Sequence, residues 1–181
     1  MTGVGSSSEQ PRLAFDPIER AEALWRRHWG DQSPHDAMAA ATSVMRVQQI
    51  LLARFDAVLK PHGLTFARYE ALVLLLFSTS GELPLSKIGE RLLVHPTSVT
   101  NIVSRLERSG FVERVPNPRD RRGTLARVTP SGRDVVQHAT QDLHAIDFGL
   151  GALSPAERRS LDDLLRAVRL DAGDFPDTRT S

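Results

Sequence analysis

A chain of 181 residues, 40% of them apolar, is long enough for one domain with a substantial core and short for two. It contains no cysteine, which excludes disulfides, thiolate metal ligands and thiol-based redox sensing. Its strongest apolar run, Leu72 to Phe77, falls far short of the roughly 18 residues of a membrane span. The formal net charge of +1 conceals a division: residues 105–133 hold eight arginines against Glu107, Glu113 and Asp120, about +5, and residues 134–181 hold nine carboxylates against five arginines, about −4. A positive region on a chain of neutral average charge can hold a polyanion; the alternative is a solvated arginine-rich loop.

The elements have clear ends. Residues 1–15 read as a flexible tail, and MTGVGSSSEQPR lacks the basic start and apolar stretch of a secretion signal, so the expected location is cytoplasmic. Asp16, Pro17 and Glu19 open a helix that Gly30 can close, with Ile18, Ala21, Trp25 and Trp29 on one face. Residues 36–60 predict a long helix with two apolar stripes: Val44, Val47, Leu51, Phe55 and Val58 form one, and Met45, Leu52 and Leu59 the other. Such a helix must be covered on more than one side, by its own domain or by another chain. Pro61 and Gly63 end it, and a third helix begins with Thr65 as N-cap, carries Tyr69, Leu72, Val73 and Leu76 on one face, and stops before Gly81.

Two short helices follow. Ser86 to Leu93 buries Ile88 and Leu92, and its Gly89 permits close approach of another helix. Pro96 opens the second, which buries Val99, Ile102, Val103 and Leu106 and ends at Gly110. A turn of about three residues joins them in the helix-turn-helix pattern. Strands at Phe111–Val115 and Thr124–Val128 flank the loop PNPRDRRG, predicting a β-ribbon with a basic tip. Thr129 and Pro130 start another helix. A capping box at Ser154-Pro155-Ala156-Glu157 starts the last, which is expected to bury Leu161, Leu164, Leu165 and Val168. The fold class is mostly α with a small β-hairpin: a winged helix-turn-helix lobe with flanking helices.

With Val99, Ile102, Val103 and Leu106 facing inwards, Pro96, Thr97, Ser98, Thr100, Asn101, Ser104 and Arg105 must face outwards. Hydroxyls can meet phosphates or base edges, a threonine methyl can meet thymine, and asparagine can pair with adenine. The bland alternative is that Thr97 and Ser98 only cap or solvate the first turn. In the wing, Arg119, Arg121 and Arg122 suit a narrow minor groove. Asp120, which phosphate would repel, is assigned to a pair with Arg122 that shapes the loop while Arg121 reaches the groove. Alternatively, all three arginines contact phosphate without reading sequence.

Residues 36–170 resemble the MarR-type winged-helix transcriptional regulators, most specifically in LPLSKIGERLLVHPTSVTNIVSRLERSGFVERVPNPRDRRGTLARVTPSGR, where Asp120 and Arg122 match the family's Asp-x-Arg wing signature. The resemblance implies a homodimer on a pseudopalindromic operator of double-stranded DNA, in most cases a repressor, released by a small molecule. It implies an organisation of added helix (16–30), dimerisation helices (31–63 and 130–172), DNA-binding lobe (64–129) and C-terminal tail (173–181). The added helix and HPTSVTN are similar to the branch that senses anionic metabolites, with urate-responsive and trans-aconitate- or citrate-responsive members. Carried over by position, that branch's ligand residues are Trp25, Glu70 and Arg114. Its urate sensors have an arginine near Ile102; the apolar residue here favours a carboxylate metabolite. The alternatives are core packing for Trp25 and Trp29 and a structural ion pair for Glu70.

Two other functions are weighed. Some relatives bind zinc, but among His28, His35, His62, His95, His138 and His144 no two are spaced i, i+4, so no metal site and no cofactor are assigned. A winged helix can also serve as a protein-interaction module without DNA. No catalytic motif is present.

Overall fold

The computed structural model describes residues 13–118, 120 and 123–177. Its elements run α1 (Pro17–Trp29), α2 (His35–Leu59), α3 (Phe66–Phe77), β1 (Glu82–Pro84), α4 (Leu85–Leu92), α5 (Pro96–Arg108), β2 (Val112–Pro116), β3 (Thr124–Val128), α6 (Pro130–Ala145) and α7 (Pro155–Asp171). Single 3₁₀ turns at Lys60–His62 and Asp147–Gly149 follow α2 and α6. The chain divides within α2 into two compact units, Met1–Ile50 and Leu51–Ser181.

In the first unit α1 begins as its sequence dictates. The Asp16 carboxylate accepts from the amides of Ile18 (2.8 Å) and Glu19 (3.4 Å), and Gly30 ends the helix at φ 86°. His35, opening α2, is 2.9 Å from the Glu22 carboxylate on α1. Within α1 nothing is buried: Trp25 and Trp29 are 40% and 63% exposed, with ring centroids 6.1 Å apart. Val44, Met45, Val47 and Ile50 on α2 are exposed as well. The predicted stripes of the long helix therefore divide along its length: Leu51, Phe55, Val58 and Leu59 pack into a core, while Leu52 stays exposed.

That core belongs to the second unit. Phe55 and Leu59 of α2, Leu72 and Leu75 of α3, Ile88 of α4, Val99, Val103 and Leu106 of α5, Val112 and Val128 of the sheet, and Val136 and Leu143 of α6 form one buried cluster. Gly89 lets α4 meet α5, since a Cβ there would stand 3.1 Å from Val99 Cγ2 and 3.3 Å from the Val94 carbonyl. The connecting turn is Leu93-Val94-His95, with Leu93 left-handed at φ 53°.

Four expectations are corrected. The sheet has three antiparallel strands in the order β1-β3-β2, not two: Leu83 pairs with Ala126, and Arg114 with Ala126 from the other side. Arg127 on β3 clamps both edges through Glu82 (2.8 Å) and Glu113 (3.2 Å). Thr65 occupies the N-cap position of α3 without capping it; the Phe66 amide donates instead to Asp56 of α2 at 2.7 Å, and the Thr65 hydroxyl accepts from Arg68. Ile102 is half-buried where Val99, Val103 and Leu106 are buried, because it lies at the margin of the α5 contact. Finally, α7 has its capping box (Ser154 amide to Glu157 at 2.7 Å) but buries none of its residues, and Leu164 and Val168 are 70% and 67% exposed. Periodicity placed those residues on one face, and among the described residues nothing buries Leu164 or Val168, while Leu161 and Leu165 are half-buried.

The join between wing and α6 is tight. The Thr129 hydroxyl donates to the Gly110 carbonyl (2.7 Å) and accepts from the Gly132 amide (3.0 Å), while the Thr129 amide donates to the Phe111 carbonyl (3.1 Å). A Cβ on Gly132 would collide with that same Phe111 carbonyl. Gly132→Ala is therefore expected to destabilise the fold by about 1–3 kcal/mol in denaturant unfolding.

Candidate nucleic-acid interface

Three features orient α5. His95 precedes Pro96, whose ring suits the first helical position, and its Nδ1 accepts from the Thr97 amide at 3.2 Å. This imidazole cap was not anticipated, since histidine is an uncommon N-cap; with Nδ1 accepting, the neutral ring carries its proton on Nε2. The buried face of Val99, Val103 and Leu106 then turns Pro96, Thr97, Ser98, Thr100, Asn101 and Arg105 outwards, all exposed, with Ser104 half-buried beside them.

The outward side chains are held rather than loose. Thr100, exposed, donates its hydroxyl proton to the Pro96 carbonyl (3.1 Å), which fixes its side-chain rotamer. Arg105 Nε donates to Asn101 Oδ1 (3.0 Å), one helical turn back. Beside them runs a groove that also contains Arg68 of α3, whose guanidinium is fixed by the Gly63 carbonyl (3.0 Å) and the Thr65 hydroxyl (3.2 Å). Arg68 is a cation at this surface that sequence spacing did not single out, because it comes from another helix.

Arg114, carried over as a ligand residue, binds α5 instead. From β2 its guanidinium donates to Glu107 Oε2 (2.7 Å), Ser104 Oγ (2.8 Å) and the Thr100 carbonyl (3.4 Å). It ties the wing's base to the helix. At the wing's tip, Asn117 and Gly123 close a backbone turn, and the Asp120 carboxylate folds onto it, 3.1 Å from the position a Gly123 Cβ would take. Arg119, Arg121 and Arg122, and with them the Asp120–Arg122 pair, lie outside the described residues.

Glu70 is on α3 and lines a separate groove of about 460 Å³. Phe66, Phe77 and Phe148 form its apolar walls, and Tyr69, Arg91 and His144 are its other titratable side chains; Arg114 is not among its residues. Desolvation holds the Glu70 carboxyl above the ordinary carboxylate range, and among the described residues no cation stands within ion-pair distance of it. At the groove's base Thr140 donates to the Val136 carbonyl (2.7 Å), which leaves the Tyr69 hydroxyl as the donor to Thr140 (2.9 Å). Trp25, the third carried-over residue, is on the exposed face of α1 in the first unit. Among the described residues no three His, Cys, Asp or Glu side chains group closely enough to hold a metal ion, and no helix is long and apolar enough to cross a membrane.

A helix-turn-helix whose second helix presents short polar side chains, followed by a stranded wing, defines a winged-helix DNA-binding lobe. The sequence profile of the MarR family matches residues 66–124. The structure resembles that of Sco5413, a MarR family transcriptional regulator from Streptomyces coelicolor, with a TM-score of 0.72 and 63% identity over 78% of this chain and 99% of that one. The HTH-type transcriptional regulator MhqR of Bacillus subtilis is 33% identical over 63% of this chain and 78% of its own. The transcriptional repressor MprA of Escherichia coli is 26% identical over 87% and 91% of the two chains. The chain belongs to the MarR family of DNA-binding transcriptional regulators, and these relatives are regulators, not enzymes.

Two outcomes follow from these contacts. Arg114→Ala, and Arg114→Lys nearly as much, is expected to speed amide exchange in β2 and the C-terminal turn of α5, with a global stability loss of about 1 kcal/mol or less. Glu70 holds its proton to higher pH in the folded chain than in the unfolded one, so its stabilising share is complete below the unfolded pKa and is lost as pH rises through the folded pKa. Glu70→Gln should remove that decline, which melting temperatures across a pH series from acidic to neutral will show.

Proposed function

We propose that this regulator is a repressor that binds a pseudopalindromic operator as a homodimer and leaves it when a small anionic metabolite binds. The observation that carries the DNA reading is the outward face of α5, where six exposed residues, Pro96, Thr97, Ser98, Thr100, Asn101 and Arg105, are short or polar and no carboxylate intervenes. Short side chains let a helix sink into a major groove, and Arg68 beside them favours phosphate. Arg119, Arg121 and Arg122 are assigned to the flanking minor groove, with Asp120 shaping the loop.

The exposed apolar residues of α2 and, separately, of α7 support a second copy as the missing cover. Residues 16–30 are then an added helix, 31–63 and 130–172 the dimerisation segments and 64–129 the DNA-binding lobe. For the metabolite, the Glu70 groove offers aromatic walls, Arg91 as a counter-charge for a carboxylate and the His144 ring beside it, and a protonated Glu70 can donate to it. MprA's description as a repressor agrees with the direction of control. Kinship with the urate- or aconitate- and citrate-responsive branch rests on the added helix and on Trp25.

Purified protein should bind the intergenic DNA beside its own gene with nanomolar-scale affinity and a steep loss with salt, and should run as a dimer in light scattering. Citrate, trans-aconitate and urate, added in turn to the complex, should include one that dissociates it, and Arg91→Ala should blunt that response. Equal affinity for random DNA would refute the operator reading. A response to all three anions that survives Arg91→Ala would move the ligand elsewhere.

A further inference from the structure

Asn101 and Arg105 are neighbours at i, i+4 on the exposed face of α5, and the bond between them restricts what either can say to a base. A guanidinium has donors only. The 3.0 Å contact from Arg105 Nε must therefore fall on the amide oxygen of Asn101, and the amide NH₂ is turned away from it. Among the described residues the terminal nitrogens of Arg105 have no protein partner, so the pair ends in a row of N–H groups: two from the amide and those of the guanidinium.

Adenine presents an acceptor and a donor in the major groove, N7 and the N6 amino group. Pairing it in bidentate fashion would bring the N6 amino group to the second lone pair of the Asn101 oxygen, directly beside a guanidinium that carries only donors and a positive charge and so repels the amino hydrogens. Cytosine offers a donor, and thymine one acceptor beside a methyl. Guanine alone offers two acceptors, N7 and O6, with no donor between them. We infer that Asn101 and Arg105 act as one donor-rich, positively charged unit that selects guanine, with Arg105 setting the orientation of the amide as well as contributing its own donors. This rests on the reading of α5 as the groove-entering helix, and it replaces the asparagine–adenine pairing that sequence alone suggests.

Selection from randomised duplex DNA tests it, with wild type, Asn101→Ala and Arg105→Ala. Both side chains are exposed, and unchanged melting temperatures will confirm that the variants fold. Wild type should enrich guanine at a position that Asn101→Ala makes indifferent, with an affinity loss of about 5- to 150-fold on the selected site. Arg105→Ala frees the amide oxygen and should exchange guanine for adenine at that same position. Adenine enriched by wild type at the Asn101-dependent position would overturn the inference, as would an Arg105→Ala preference identical to wild type. If wild type enriches no sequence at all, the reading of α5 as a groove-entering helix fails first, and the inference falls with it.

Discussion

Burial of Val99, Val103 and Leu106 is the constraint from which the rest of the lobe follows. These three side chains seat α5 against α4 and α3, with Ile88, Leu72 and Leu75 in the same buried cluster, and a helix seated on one face has no choice about the other. Gly89 sets how closely the two helices approach, and the left-handed Leu93 turns the chain within three residues. Each polar residue proposed to meet DNA owes its direction to this apolar contact.

Charge is distributed less simply than the arginine count suggests. Of the eight arginines between residues 105 and 133, Arg114 and Arg127 are engaged by Glu107, Glu82 and Glu113, and they brace the wing's base instead of extending from it. Such pairs on a surface add little stability individually. Their value is geometric, because Arg114 ties the ribbon to α5 and Arg127 ties the three strands together. The field available to a polyanion comes from the remaining arginines and from Arg68, which sequence spacing assigned to no surface.

Local signals were legible and distant ones were not. Asp16, Thr129 and Ser154 cap the helices that their sequences announce, because a cap is a contact over two or three residues. Thr65 misled for the same reason in reverse: it has the right type and place, yet Asp56, ten residues earlier, reaches the Phe66 amide first. β1 is three residues long and shows no periodicity of its own; only its pairing with β3 makes it a strand. Arg114 was read through positional likeness, while its partners Glu107 and Ser104 sit on the preceding helix, brought to β2 only by the turn at Gly110. The apolar faces of α1 and α7 were read correctly as faces, but periodicity says which residues share a side and not what lies against it.

The hydrogen bonds between Thr129 and Gly110, with Gly132 wedged on the Phe111 carbonyl, fasten the start of α6 to the segment that leaves α5. The other end of α6 supplies His144 to the Glu70 groove. Sixteen residues of uninterrupted helix make a stiff rod of about 24 Å, pinned at one end to the reading head. Widening the groove by an ångström would act on that rod as a push acts on a lever with a fixed pivot. In the proposed dimer, the spacing of two half-sites, more than the affinity of either, is the quantity that such a movement would spoil.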